Sequence, residues 1–282
     1  MASAPGSTMA FAAMCSVQLG AAASVALADR LGPAGVVWLR LACAAVILVV
    51  VARPWRVPFT RAALRTCLAL GVTTAGMTLM FMAAAVRLPL GTASALEFLG
   101  PLTVALVRGS ATVRLWALVA AAGVLGLTEP WRGDTDFAGV ALALGAAACW
   151  GGYIVLTQRA GGEVTGLRAL AVSIPVAAFV VMLTVPSSAF AALDAKLLVT
   201  GVGLALLMPA IPFALELLAL RRLTAAVFGV IMSLEPAIAL VVGFAVLGQS
   251  PRPAALAGIA LVVAAGIGAQ RTGARVVAPD VA

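Results

Sequence analysis

Long uncharged stretches of apolar residues are the feature that most limits what this chain can fold into. Residues 9–28 and 66–86 contain no charged side chain, and residues 223–246 contain only Glu235. A bilayer core of about 30 Å is crossed by roughly 20 apolar residues in a helix, and each stretch reaches that length. The chain is 63% hydrophobic and 10% charged, whereas soluble domains are roughly 45–50% apolar and 25% charged. The sequence therefore predicts an all-α membrane protein.

The same length criterion, applied along the chain, predicts ten transmembrane helices. They are residues 9–28, 33–52, 66–86, 88–107, 112–129, 137–158, 168–187, 197–220, 223–247 and 253–270. Their connections are mostly short, as antiparallel neighbours allow. The first apolar run is longer than a signal-peptide core, so we expect it to be retained. A transmembrane barrel would show short segments of alternating polarity instead.

The basic residues predict the orientation of these helices, because cytoplasmic loops are enriched in Lys and Arg. With the N-terminus placed inside, 12 of the 18 basic residues fall on the cytoplasmic side, 5 fall outside, and Arg40 lies within a helix. The even number of helices then places both termini in the cytoplasm. The net charge of +8 is explained by this orientation signal, so we expect no nucleic-acid partner.

The two halves of the chain carry a similar pattern at an offset of 135 residues. Arg87 aligns with Arg222, and Pro101 aligns with Pro236. In each copy a helix ends at an Arg-Leu corner, and the next helix contains a proline 14 residues after the Arg. A chance similarity between two apolar halves is the alternative explanation.

Because each half holds five predicted helices, the second half begins on the opposite side of the membrane. We therefore predict two inverted repeats, residues 1–132 and 133–271, followed by a cytoplasmic tail of residues 272–282. Inverted repeats with interrupted helices are typical of secondary transporters, which bind substrate near the midplane and open to each side in turn.

Residues 90–102, LGTASALEFLGPL, and residues 223–239, which contain Leu234-Glu235-Pro236, resemble a known family. They are similar to the EamA-type branch of the drug/metabolite transporter superfamily and, within it, to the threonine/homoserine exporter group. The resemblance extends over nearly the whole chain. It implies a five-plus-five helix arrangement and export of small amino acids such as threonine and homoserine. Carriers of drugs or other metabolites share these features, and a non-transporting scaffold or receptor is the alternative of a different class.

Four charged side chains fall within predicted helices: Arg40, Glu97, Glu216 and Glu235. A charge at a helix centre costs about 2.5–3.5 kcal/mol on insertion scales, so each requires a partner or a function. Glu97 and Glu235 are placed near the middle of the membrane by their positions in the fourth and ninth helices. When the two halves are aligned, Glu235 falls on Gly100, and Glu97 lies three residues before it. The two carboxylates therefore occupy nearly the same helix face.

Prolines close to both carboxylates strengthen this interpretation. Pro101 and Pro236 lack an N–H, so each frees the carbonyl four residues earlier, at Glu97 and Met232. Freed carbonyls are tolerated at membrane depth where they border a water-filled cavity. We therefore predict that Glu97 and Glu235 face one central cavity.

The charges suggest what this cavity binds. Arg40 with Glu97 and Glu235 gives a net charge of −1 if all are ionised, which favours a bound proton or cation. A zwitterionic amino acid matches the set, with its ammonium group on a carboxylate and its carboxylate on Arg40. Competition between proton and substrate for one Glu would produce proton antiport.

Several of these residues also fit a purely structural role. Glu235 can hold helices together through hydrogen bonds, Arg40 can extend to the outer interface, and Glu216 is predicted to form an interfacial ion pair with Arg221 or Arg222. Glu216 is therefore left out of the predicted site. Further candidates for lining the cavity, for which packing is the alternative, are Gln18, Trp38, Thr74, Met77, Thr78, Trp150 and Tyr153.

Residue types and motifs that are absent from the sequence argue against other classes of function. The chain has no histidine, which removes Ser-His and Cys-His nucleophile pairs and the common zinc sites. The four cysteines are scattered without a CxxC spacing, and no phosphate-binding glycine loop is present. We expect no enzyme activity, no cofactor and no metal. The expected partners are a small amino acid or metabolite, protons and the lipid bilayer of the inner (plasma) membrane, and a homodimer is left open.

Overall fold

The computed structural model describes residues 4–56, 59–108, 111–129, 135–160, 167–220, 222–223 and 225–273, and all regular elements among them are helical. The helices are α1 (Ala4–Ala52), α2 (Arg61–Ala85), α3 (Leu90–Glu97), α4 (Leu99–Arg108), α5 (Ala111–Thr128), α6 (Phe137–Ala160), α7 (Leu167–Met182), α8 (Ser187–Ala191), α9 (Ala195–Ala205), α10 (Ile211–Leu220), α11 (Ala225–Met232), α12 (Glu235–Leu247) and α13 (Pro253–Gly273). Short helical turns occupy Pro54–Arg56 and Leu206–Ala210.

Within the part of the chain that the structure describes, five helical segments are long and apolar enough to cross a membrane. They are Gly6–Arg56, Arg61–Ala85, Phe137–Thr157, Val227–Leu247 and Pro253–Arg271, and the shorter apolar helices are Leu115–Thr128, Leu167–Met182 and Ala195–Ala210. The prediction of an all-α membrane protein is therefore confirmed.

The first helix, α1, is bent where the sequence predicts a boundary between two helices. Gly32 has a φ of +68°, in a region that residues with a Cβ atom rarely adopt. Pro33 follows it inside the helix and has no N–H to donate to the preceding turn. These two residues divide α1 into two segments, which agrees with the predicted spans 9–28 and 33–52.

Two further helix interruptions occur close to the predicted carboxylates. The helix α3 ends at Glu97 and α11 ends at Met232, and each is followed within two residues by the next helix. Pro101 and Pro236 lie four residues after these two ends, so the interruptions fall where proline removes the hydrogen bond to a carbonyl. This agrees with the expected effect of both prolines.

A fourth interruption lies in the span 197–220, which the apolar pattern predicts to be one continuous helix. The chain departs from α-helical geometry at Met208, and a π-type turn over Leu206–Ala210 separates α9 from α10. Pro209 lies within this turn and Pro212 begins the next helix. Two prolines so close together cannot both be accommodated in an uninterrupted helix. This turn sets the direction of α10, the helix that carries Glu216.

Two corners of the fold are built alike. A Cβ atom on Gly139 would lie 2.9 Å from Leu88 Cγ, and one on Gly6 would lie 2.9 Å from Leu223 Cγ. In both places the start of one helix therefore packs closely on the Arg-Leu corner that precedes another helix.

The helices α5 and α13 also pack together at glycines, because a Cβ on Gly123 would lie 2.9 Å from the carbonyl oxygen of Gly258. Small residues of this kind let helix backbones approach closely in a bilayer.

Candidate functional site

Two adjoining cavities, of about 260 and 180 Å³, lie between the interrupted helices. We refer to them together as the central cavity, because they share part of their lining. The shared residues are Val17, Arg40, Met77, Thr78, Trp150, Met208 and Glu216. Side chains from α1, α2, α6 and α10 and from the turn before α10 thus surround one continuous space.

All four charged residues predicted inside helices border this cavity. Arg40 and Glu216 line both parts, while Glu97 and Glu235 line the smaller part. Glu97 lies close enough to Arg40 and Glu235 for direct electrostatic interaction. The structure therefore brings Arg40, Glu97 and Glu235 together, as the sequence predicts.

The guanidinium of Arg40 is almost fully buried, with 4% of the residue exposed. Its Nη1 donates a hydrogen bond to the Met208 sulfur at 3.0 Å, and a thioether is a weak acceptor. Of the ion pairs within 4.0 Å among the described residues, none involves Arg40. Since a guanidinium has five N–H donors, Arg40 has donors available for an anionic group in the cavity.

Glu235 is bound to Gln18 rather than to a cation. The Gln18 amide Nε2 donates to Glu235 Oε1 at 3.1 Å, and both residues are buried, with 2% and 8% exposed. Their other oxygens, Gln18 Oε1 and Glu235 Oε2, are buried without a hydrogen-bond partner in the described structure. Unsatisfied buried oxygens are costly, so this pair favours a donor such as a proton or an ammonium group.

Glu97 occupies the last position of α3, directly before the helix interruption. It is only partly buried, and it faces the smaller part of the central cavity together with Gln18 and Met232. Its carboxylate is therefore accessible from the cavity, and it interacts electrostatically with a positive group, Arg40, and a negative one, Glu235.

The other predicted lining residues divide into two groups. Those that border the central cavity are Gln18, Thr74, Met77, Thr78, Trp150 and Tyr153. Trp38 does not border it, and its ring packs edge-on against Phe190 of α8 with ring centroids 4.9 Å apart. The hydroxyl of Thr78 donates to the Thr74 carbonyl at 2.8 Å, which reduces its capacity to donate to a ligand. Pro236 is buried beside Glu235, and Pro101 lines a neighbouring cavity.

Glu216 borders the cavity although the sequence did not predict it there. The interfacial ion pair expected for it is not formed with Arg222, since no ion pair of Glu216 occurs within the described residues, and Arg221 lies outside them. Glu216 instead lines both parts of the central cavity. The signal that would have found it is the pair of prolines, Pro209 and Pro212, that redirect the helix carrying it.

Interrupted helices around a charged cavity inside a helical membrane protein are typical of secondary transporters. Residues 137–268 match the EamA-like transporter family. The chain is 38% identical over 267 residues to the threonine/homoserine exporter RhtA of Escherichia coli strain K12, with 92% of this chain and 89% of that protein covered. The same identity and coverage hold for RhtA of Salmonella typhimurium strain LT2. The chain therefore belongs to the EamA-like transporter family, and the resemblance found in its sequence is confirmed.

The fold has a counterpart among solved structures. A crystal structure of a protein with 16% sequence identity superimposes with a TM-score of 0.59, over 96% of this chain and 99% of the other. At this identity the similarity describes the fold and not the substrate.

Proposed function

We propose that the protein exports threonine, homoserine or closely similar small amino acids across the inner membrane in exchange for protons. The observation that carries the proposal is the central cavity, in which one buried arginine lies near several carboxylates. The relatives that are 38% identical are named as threonine/homoserine exporters, which supports this substrate class and the direction of transport.

We also propose that the ten predicted helices form two inverted repeats with both termini in the cytoplasm. The two Arg-Leu corners with their facing glycines, Gly6 and Gly139, support the repeat. So do the interruptions after α3 and α11, which lie 135 residues apart. Gly123 and Gly258 are also 135 residues apart and face each other, as equivalent residues beside a two-fold axis would.

Each end of an amino acid has a matching group in the cavity. The substrate carboxylate would bind the free donors of Arg40, and an Arg-carboxylate pair is stronger than a hydrogen bond between neutral groups. The ammonium group would bind Glu97, with Glu235 nearby. Because both charged ends of an amino acid are matched by groups that line the cavity, this arrangement favours an amino acid over the alternative drug carrier.

Proton exchange follows from competition for the same carboxylate. A carboxylate that holds a proton cannot form the ion pair with the substrate ammonium, so proton and substrate occupy Glu97 in turn. A single binding group of this kind couples the two fluxes when the cavity is exposed alternately to each side of the membrane.

The test uses inside-out membrane vesicles with an acidic interior. In these vesicles the lumen corresponds to the outside of the cell, so proton efflux should drive uptake of labelled threonine and homoserine. We expect gradient-dependent uptake with the native protein and its loss in Glu97→Gln, which retains the shape of the side chain but not its charge.

The matched control is Glu129→Gln, because Glu129 pairs with Arg252 at 3.5 Å, away from the central cavity. This control should transport like the native protein. Absence of uptake by the native protein would reject threonine and homoserine as substrates. Native uptake in Glu97→Gln would reject the role of Glu97 while leaving the substrate class in place.

A further inference from the structure

Glu216 lies where three cavities meet. Besides the central cavity, it lines a third cavity of about 290 Å³, which we call the side cavity. The side cavity is bounded by α4, α6, α10, α11 and α13 through residues that include Phe98, Trp150, Phe228 and Gln270. Of the described residues, Glu216 and Trp150 border all three spaces, and only Glu216 of these two can carry a proton.

The carboxylate of Glu216 has no structural task that the structure reveals. It forms no hydrogen bond or ion pair with any of the described residues, and it is only partly buried. Ionisable groups within membrane segments are expensive to keep there and mark ion or proton pathways. Among the described residues, the ionisable groups that share its cavities are Arg40 from α1, Glu97 from α3, Tyr153 from α6 and Glu235 from α12.

The depth of Glu216 differs from that of the other two carboxylates. Glu97 and Glu235 lie at the helix interruptions, whereas Glu216 lies one turn from the end of α10 at Leu220. The side cavity extends in the same direction, because Gln270 lies near the end of α13 at Gly273. In the proposed orientation both helix ends face the cytoplasm.

We propose that Glu216 relays protons from the two central carboxylates to the cytoplasm through the side cavity, apart from the substrate in the central cavity. This inference rests on the proposed function. When the substrate ammonium binds, the proton leaves Glu97 or Glu235, passes through cavity water to the Glu216 carboxylate, and then leaves Glu216 for cytoplasmic water. Only O–H bonds are broken and formed, and no redox partner is needed.

The experiment compares two transport modes in proteoliposomes. Counterflow, the exchange of labelled for unlabelled threonine without a pH gradient, requires substrate binding and the conformational change but no net proton movement. Uptake driven by a pH gradient requires proton release as well. We expect Glu216→Gln to retain counterflow and to lose gradient-driven uptake to the level of empty liposomes.

Glu97→Gln makes the same chemical change at the substrate-binding carboxylate and should abolish both modes. Retained counterflow in Glu216→Gln also shows that this variant is folded. Native gradient-driven uptake in Glu216→Gln would overturn the inference. If Glu216→Gln loses both modes, the variant Glu216→Asp is measured, because it keeps a carboxylate at this position. Gradient-driven uptake by Glu216→Asp supports the inference. Absence of gradient-driven uptake in Glu216→Asp overturns it.

Failure of the inference can be told from failure of the proposed function. If the native protein shows neither mode with threonine or homoserine, the proposed function itself is rejected. If the native protein shows both modes and Glu216→Gln does too, the transport function stands and only the relay through Glu216 is rejected.

Discussion

Two helix crossings, where a helix that follows an interruption packs against a neighbouring helix, occupy equivalent positions in the two halves of the chain. One is formed by small apolar residues and the other by polar ones. At the first, Gly100 of α4 packs against α6, and a Cβ atom there would collide with the backbone of Ala147. At the second, Glu235 of α12 meets α1, where Gln18 donates to its carboxylate at 3.1 Å. Gly100 and Glu235 are 135 residues apart in the sequence, so one repeat position holds glycine in one half and glutamate in the other.

This difference shows how a symmetric framework can hold an asymmetric site. The glycine crossing brings two backbones into contact and leaves no space for a ligand. The polar crossing joins its helices through a hydrogen bond between two long side chains and leaves two oxygens, Gln18 Oε1 and Glu235 Oε2, without a partner in the described structure. The first half contributes its carboxylate from the other side of the interruption, since Glu97 ends α3 whereas Glu235 begins α12.

Replacing the polar crossing with apolar side chains should have the largest effect. In Gln18→Met, the carboxyl group of Glu235 loses its only hydrogen bond among the described residues, which should cost about 1–3 kcal/mol, and more if the carboxylate is charged. In the double variant Gln18→Met with Glu235→Met, both members of the polar pair are removed, so stability should recover. Transport, however, should be lost, because the carboxylate is absent.

Thermal unfolding in detergent and threonine counterflow measure the two effects separately. Glu235→Met alone completes the cycle, because the coupling between contacting residues is isolated only when both single variants are measured. A stable double variant that still transports threonine would show that Glu235 has a structural role only. A double variant less stable than Gln18→Met would show that the hydrogen bond is not what stabilises this crossing.

The contrast between the crossings also shows what the sequence can predict. Prolines and isolated charges act locally, so Pro101, Pro236 and the carboxylates near them were sufficient to predict the interruptions and a shared cavity with Arg40. The effect of each residue type does not depend on the surrounding fold, because a proline always removes one hydrogen bond and a buried charge always needs a polar environment.

The positions of Trp38 and Glu216 could not be predicted in this way. Trp38 is held by Phe190, which lies on a short helix outside the predicted spans. Glu216 follows a π-type turn, and the residue that such a turn inserts changes the face on which all later side chains lie. A count of residues from the helix end gives depth but not direction, so it indicated an interfacial ion pair for Glu216 and not its place beside the cavity.

The glycine crossing can be tested by adding one methyl group. Gly100→Ala should place Cβ against the backbone of Ala147, and overpacking of this kind costs typically about 1–3 kcal/mol. The matched control is Gly203→Ala, because a Cβ atom on Gly203 meets nothing within 4 Å and alanine favours the helix by about 1 kcal/mol. Thermal unfolding in detergent should therefore shift in opposite directions in the two variants. Equal shifts would show that α4 and α6 are not tightly packed at Gly100.

The smallest effect is expected at the corner where α6 begins. Asp136 accepts a hydrogen bond from the Gly139 N–H at 2.9 Å and pairs with Arg87 at 2.9 Å. The hydrogen bond from Gly139, followed by that from Arg87, lowers the pKa of Asp136. A carboxyl whose pKa is lower in the folded state stabilises the protein above its unfolded pKa, about 3.9 for Asp. That contribution disappears as the pH falls through the folded value.

We therefore expect Asp136→Asn to unfold at a slightly lower temperature than the native protein at neutral pH, with the difference vanishing in acid. Asparagine can still cap a helix, so this variant removes the charge and retains a hydrogen-bond acceptor, whereas Asp136→Ala removes both. Unfolding temperatures of the three proteins, measured from neutral pH to below about pH 4, separate the two contributions. A difference between the native protein and Asp136→Asn that persists at the lowest pH would show that the charge on Asp136 does not stabilise this corner.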